Sequence, residues 1–189
     1  AKRTAAELDV FMRQHLGSMR FFPDTYVSAS DPDKVSLRVT LSASALAEEA
    51  AQLSAIPREG WETTKFDAKQ KILYVLVQRR IGMEQTFANE GHTSATNRLS
   101  ASYFRVGVLR QKLAGVDFYL FLKDLIDNYD DRFDALAEKL EEVRATVFGG
   151  PALASFTGSA EECDAFWAAA GDMGLARDER AAAGEAFGA

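Results

Sequence analysis

Cysteine is almost absent from the sequence, since Cys163 is the one cysteine among 189 residues. No disulfide can therefore form within the chain, which is typical of proteins from reducing compartments. The neighbouring Ala160, Phe166 and Trp167 indicate that the thiol packs in a core rather than reacting. No signal peptide is visible in the first residues, so we expect a cytoplasmic protein.

Long apolar runs are also missing. No stretch approaches the ~20 consecutive apolar residues that cross a bilayer. The 22 basic and 28 acidic residues leave a net charge of −6, which argues against a surface for nucleic acid or anionic lipid. We therefore expect no nucleic-acid partner and no membrane association.

Histidine is scarce as well, with His15 and His92 the two in the chain. A catalytic zinc takes three protein ligands, and the HxxEH pattern places two histidines on neighbouring turns of a helix. Here the two lie far apart in sequence. The acidic stretch 124–134 lacks the glycine and the final glutamate of a calcium loop, and no GxSxG or phosphate-binding glycine motif occurs. We predict no catalytic residue and no metal ligand.

Hydrophobic periodicity is what the sequence does provide. Pro and Gly mark the ends of the periodic segments, and Thr64 with Asp67 suggests the capped start of the long helix. In chain order, the predicted elements are helix 5–16, strands 19–30 and 35–44, helices 43–55, 66–87, 92–102, 107–113, 116–129 and 131–148, strand 152–159, and a helix capped by Ser159 that runs to 170.

The first two strands predict a hairpin around the turn sequence DPDK. Pro23 places its first strand at a sheet edge or a bulge. In the second strand, alternate apolar residues predict one half-buried face, formed by Val35, Leu37, Val39 and Leu41.

This order of elements predicts an α+β fold with an antiparallel or mixed sheet. Several helices would pack on one face of that sheet, and helix outweighs strand. We predict a single domain over residues 1–175. Residues 176–189 contain few side chains that could anchor them, and we expect a disordered tail or a truncated end there.

The stretch FANEGH interrupts the helical pattern after residue 87. Gly91 permits a sharp turn, and His92 then enters the next helix. A ring at this position can hydrogen-bond back to the preceding helix and fix the corner. The predicted role of His92 is therefore orientation rather than catalysis.

Four stretches in a fixed order carry a resemblance to a known family. They are SLRVTLSASALAEEAAQL, a long helix ending in Gly91 and His92 with Arg98 six places on, GVDFYLFLK with Gly115 and Tyr119, and LEEVRATVFGGPALASFTGSAEE. Together, over residues 35–171, they resemble the insulinase/pitrilysin zinc metallopeptidases, most closely the start of the second half in the presequence-protease branch.

This resemblance implies a metalloprotease-like α+β unit, either complete or incomplete. The unit would belong to an enzyme that encloses peptides between two halves. Such enzymes carry zinc on an HxxEH motif in their first half, and no position here matches it. No substrate-holding residue can be carried over either. The chain would then be an inactive wall segment whose partners are the remaining domains and, through them, the peptide substrate.

Two other functions stay open at the level of sequence. The broad apolar face of 66–87 and the aromatic run DFYLFL would also suit a stand-alone α+β module that binds a protein partner without chemistry. An independent hydrolase with an unrecognised site is the third interpretation, and the small number of histidines and cysteines disfavours it.

Overall fold

The computed structural model describes residues 3–149 and 152–170, so the predicted tail at 176–189 lies outside the described residues. The helices are Ala5–His15 (α1), Gln52–Thr63 (α2), Lys69–Asn89 (α3), Gly91–Ser100 (α4), Arg105–Ala114 (α5), Val116–Asp127 (α6), Tyr129–Phe148 (α7) and Ala160–Ala170 (α8). The strands are Ser18–Val27 (β1) and Val35–Ser44 (β2), and Ala47–Glu49 forms a short 3-10 turn. The predicted helix-rich α+β class is confirmed.

Side-chain caps fix the starts of two helices. Thr4 Oγ1 accepts the Glu7 N–H at 3.3 Å, while Glu7 Oε2 accepts the Thr4 N–H at 2.7 Å. The same reciprocal pair joins Ser159 and Glu162 at the start of α8, as predicted for Ser159. Each pair satisfies backbone donors that a helix start leaves free.

Strands β1 and β2 form a two-stranded sheet, and the described residues contribute no third strand to it. Both strands are therefore edges, which agrees with the position predicted for Pro23. The half-buried face is only partly confirmed. Val35 and Leu41 are half-buried, but Leu37 and Val39 are 52% and 43% exposed, because a lone hairpin leaves them uncovered.

The region after the hairpin differs from the prediction. Residues 43–55 do not form one helix, since β2 extends to Ser44 and α2 begins only at Gln52. Pro57 lies inside α2 instead of ending it, and both Pro57 and Ile56 are fully buried. Their burial compensates for the lost backbone hydrogen bond. Thr64 consequently ends α2, its N–H bonded to the Gly60 carbonyl at 3.2 Å, rather than starting α3.

The predicted strand 152–159 is also wrong, because residues 152–158 are irregular and pair with no strand among the described residues. Its apolar character has another explanation. The Phe156 ring stacks on Phe166 of α8 with centroids 5.0 Å apart. The side chain therefore packs against a helix, a role that a short apolar run cannot distinguish from a strand.

The chain divides into two compact units. Of the described residues, the first takes 3–20, Leu41–Thr64, 148–149 and 152–170; the second takes Phe21–Thr40 and Lys65–Val147. The prediction of one domain over 1–175 stays a prediction. Buried apolar side chains are Leu16, Ala50, Ile56 and Phe166 in the first unit, and Met83, Leu122, Leu125 and Tyr129 in the second.

Helix α6 is the most apolar element of the second unit and contacts both α3 and α5. Leu122 and Leu125 are buried, whereas Leu120 and Phe121 on the same helix are each 56% exposed. At its end, the Tyr129 hydroxyl donates to the Lys69 carbonyl at 2.7 Å, which links the start of α7 to the start of α3. Within the described residues, no helix is long and apolar enough to cross a membrane.

A buried and an exposed leucine of α6, Leu122 and Leu120, give a direct test of this packing. Leu122→Ala should lower the free energy of unfolding by about 2–5 kcal/mol, because it opens a cavity at a side chain that is 1% exposed. The matched control is Leu120→Ala, which should change it by no more than about 0.5 kcal/mol. Urea unfolding of the two variants checks this, and equal effects would show that α6 does not pack as described.

Candidate functional site

Three of the five family-motif residues, Arg98, Gly115 and Tyr119, meet at the start of α6. The segment Gly115–Tyr119 runs from the α5–α6 corner into the first turns of α6, and each of the three preceding helices contacts it. Gly115 touches α5, Asp117 pairs with α4, and Tyr119 reaches α3. We call residues 115–119 the hub segment.

The α5–α6 corner depends on a glycine packed against a buried glutamine. Gln111 is 1% exposed, and its Oε1 accepts the Val116 N–H at 3.0 Å. It thereby satisfies a free donor at the start of α6. A Cβ on Gly115 would lie 2.6 Å from Gln111 Cδ and 2.7 Å from its backbone Cα. No larger residue fits at 115 unless this corner opens.

A second close approach joins α4 to α5. A Cβ on Gly107 would lie 2.6 Å from the Ser100 carbonyl oxygen and 2.7 Å from the Ala101 nitrogen. Gly107 is buried, so the first turn of α5 lies directly on the backbone at the end of α4. Gly107, Gln111 and Gly115 follow at four-residue intervals, which places them along one side of α5.

Arg98 of α4 forms an ion pair with Asp117 of the hub segment, with Nη1 and Oδ1 2.5 Å apart. The side chains are 60% and 43% exposed, so solvent screens the pair and its contribution is of order 0.2–1 kcal/mol. The pair links α4 to α6.

Tyr119 connects α6 to α3. Its hydroxyl donates to Glu84 Oε1 at 3.0 Å, and its ring meets Phe87 edge-on with centroids 5.5 Å apart. The hydrogen bond to the Glu84 carboxylate, followed by partial burial, raises the pKa of the Tyr119 phenol above its usual 10.0. The neutral phenol is therefore the form that the folded chain favours.

Gly91 and His92, the other two motif positions, do not reach the hub segment. A Cβ on Gly91 would meet no atom within 4 Å, so space does not require glycine there. The backbone turns at Glu90, with φ −127° and ψ 44°. His92 is exposed, and within residues 3–149 and 152–170 its ring has no hydrogen-bond partner. The prediction that this ring fixes the corner by a hydrogen bond is wrong.

His15 occupies the last turn of α1, as predicted, in the first unit. Its Nδ1 lies 2.9 Å from Glu49 Oε1 but out of line for a hydrogen bond, and its ring centroid is 4.3 Å from that of Phe11. Across the described parts of the chain, no group of three His, Cys, Asp or Glu side chains could hold a metal ion. The described residues therefore offer no such ligand group for zinc, which the resemblance places in the first half of these enzymes.

The sequence interpretation missed Gln111, Asp117, Glu84 and Gly107. One signal was available, namely the two glycines eight residues apart with a polar residue midway. Glu84 and Asp117 gave none, because single acidic residues on a helix are ordinarily solvated and their partners lie on other helices.

The family itself is established by comparison. The model of the family described as peptidase M-16C associated matches residues 1–125, which include Gly91 and the whole hub segment. The chain belongs to this peptidase-associated family. This match, together with a presequence protease among the relatives described next, confirms the resemblance to the presequence-protease branch of the insulinase-type peptidases.

Two curated relatives match most of this chain and a small part of their own length. Protein HypA of Clostridium perfringens (strain 13 / Type A) is 22% identical over 151 residues, which are 79% of this chain and 15% of that protein. Presequence protease 1, chloroplastic/mitochondrial, of Arabidopsis thaliana is 22% identical over 144 residues, 76% of this chain and 13% of that protein. The chain thus spans about one seventh of the relatives' length.

The two glycines of the motif provide a matched pair of variants. Gly115→Ala should lower the free energy of unfolding by about 1–3 kcal/mol, because the new methyl group overlaps Gln111. Gly91→Ala, which meets only open space, should be neutral or stabilising by up to about 1 kcal/mol. Denaturant unfolding measures both. If Gly115→Ala left the free energy of unfolding unchanged, the α5–α6 corner would not be closed as described.

Tyr119 predicts a defined dependence on pH. A pKa raised in the folded state means that stability from this group is complete below the usual value of 10.0 and is lost as pH rises through the folded pKa. Stability of the wild-type chain relative to Tyr119→Phe should therefore be constant at neutral pH and fall above about pH 10. Urea midpoints along a pH series measure the difference.

The control for this series is Tyr103→Phe, since the Tyr103 side chain is 73% exposed. It should leave the alkaline loss of stability as in the wild-type chain. If Tyr119→Phe also left that loss unchanged, the bond to Glu84 would not contribute to stability.

Proposed function

We propose that the chain is a non-catalytic structural segment of a zinc-dependent insulinase-type endopeptidase, which we call the parent peptidase. The observation that carries this proposal is the family match across the hub segment, combined with the small share of each relative that the chain spans. In this role, the segment packs against the remaining domains and forms part of the wall around the bound peptide.

The chemistry of the motif residues supports a structural role. Both polar side chains of the hub segment are engaged with a neighbouring helix, Asp117 with Arg98 and the Tyr119 hydroxyl with Glu84, and the Val116 N–H is engaged with Gln111. A general base or nucleophile needs a free reactive atom directed at substrate. These groups instead fix the relative positions of α3, α4, α5 and α6.

Exposed apolar side chains on the second unit support contact with further protein. Tyr74 and Val75 of α3 are 65% and 63% exposed, and Leu120 and Phe121 of α6 are each 56% exposed. Apolar side chains that stay exposed on a folded unit are available for contact with a further protein surface. The same surfaces would suit a stand-alone interaction module, which is the alternative function.

The test compares the chain with the parent peptidase. We expect the purified 189-residue chain, supplied with zinc, to cleave no unfolded peptide. We also expect the reading frame that contains it to encode an HxxEH motif outside this chain. Full-length parent peptidase should cleave, and replacing the motif glutamate by glutamine should abolish cleavage.

Two results would refute the proposal. One is zinc-dependent peptide cleavage by the 189-residue chain alone. The other is a reading frame without an HxxEH motif, which would leave the interaction module as the better account.

A further inference from the structure

The segment Gly91–Val116 is basic, although the chain as a whole is acidic. It contains four Arg and Lys residues and no Asp or Glu, whereas the complete sequence carries a net charge of −6. Three of these cations, Arg105, Arg110 and Lys112, lie on α5. Helix α5 therefore carries three positive charges and no negative one.

The positive charges of α5 have no negative partner in the part of the chain that the structure describes. Arg105, Arg110 and Lys112 are exposed and form no ion pair there. Arg105 Nη1 donates to the Asp33 carbonyl at 3.4 Å, but this bond to a neutral group leaves the charge uncompensated. Cations on α3, α4 and α7 do pair with carboxylates. The charges of α5 are therefore available to a further acidic group.

Uncovered apolar side chains accompany two of these charges. Arg105, Val108 and Lys112 follow at i, i+3 and i+7, so they lie on one side of the helix. Val108 is 41% exposed, and Phe104, one turn before it, is 58% exposed. We call Phe104, Arg105, Val108 and Lys112 the basic stripe of α5. It combines two positive charges with apolar surface that the described residues leave open.

This combination fits an acidic protein segment better than a nucleic acid or an anionic membrane. Arg105 and Lys112 are seven residues apart, which is about 10 Å along a helix. A partner helix with two carboxylates at the same spacing and an apolar side chain between them complements both features. A nucleic acid gains its affinity from many phosphate contacts, and the acidic remainder of the chain repels a polyanion.

We propose that the basic stripe of α5 is a docking surface for an acidic amphipathic helix of a partner protein. Charge complementarity sets the class of the occupant. Its carboxylates would lie opposite Arg105 and Lys112, and an apolar side chain between them would cover Val108 and Phe104. The inference is independent of the proposed function, because it rests on the charge and exposure of α5 alone.

A synthetic helical peptide serves as the probe. It consists of about 20 residues of Glu, Leu and Ala, enough to form a helix in water, with two Glu at the spacing of Arg105 and Lys112 and Leu between them. Fluorescence anisotropy of the labelled peptide, titrated with the 189-residue chain, should show saturable binding that weakens as salt screens the charges. A peptide with Lys in place of Glu should not bind.

Two variants of the stripe and one control locate the binding surface. Lys112→Glu should weaken binding of the Glu peptide about tenfold or more, because it replaces an attraction by a repulsion. Val108→Ser should weaken it about threefold or more, because an apolar contact is lost. The matched control is Lys71→Glu, since Lys71 is an exposed cation of α3 without an ion pair among the described residues. It should change the affinity by less than about twofold.

Three results would overturn the inference. Absence of binding by the Glu peptide, or equal binding of the Glu and Lys peptides, would show that the stripe does not select an acidic partner. Equal weakening by Lys112→Glu and Lys71→Glu would show that net charge alone attracts the peptide. Tighter binding of a single-stranded DNA oligonucleotide than of the Glu peptide would assign the stripe to nucleic acid. None of these results bears on the zinc motif, so the proposed function is tested separately.

Discussion

The contact between Gly115 and Gln111 is the constraint on which the second unit depends. Gln111 is buried, and its side chain takes the place of a backbone partner for the Val116 N–H. This arrangement lets α6 start directly against α5, with no room for a Cβ at 115. Because α6 begins at that point and in that direction, Asp117 meets Arg98 and Tyr119 meets Glu84. A shift of the corner would separate both pairs.

This constraint explains why the motif residues matter in a chain without a zinc motif. Arg98 is distant in sequence from Gly115 and Tyr119, yet each of the three joins α6 to a different helix. Gly91 and His92 belong to the same motif without sharing in these contacts.

The sequence predicted most helices correctly because their apolar residues recur at helical spacing and their starts carry side-chain caps, as at Ser159. It failed where tertiary packing outweighed a local signal. Pro57 predicts the end of a helix, but it is buried within α2. The apolar run 152–159 predicts a strand, but its Phe156 packs on α8. The resemblance named Gly91, His92, Arg98, Gly115 and Tyr119, and of these the last three lie at or against the hub segment. Their partners could not be predicted, because pairing across helices leaves no mark in local sequence.

Exchange of the Val116 amide tests the central claim most directly. The Gln111 side chain accepts this N–H, so the amide should be strongly protected in the wild-type chain. In Gln111→Ala the Val116 amide should lose that protection. The pKa of Tyr119, which the bond to Glu84 raises in the wild-type chain, should return toward its usual value. A Val116 amide that exchanges as fast in the wild-type chain as in Gln111→Ala would contradict the account, because the buried glutamine would then not hold the start of α6.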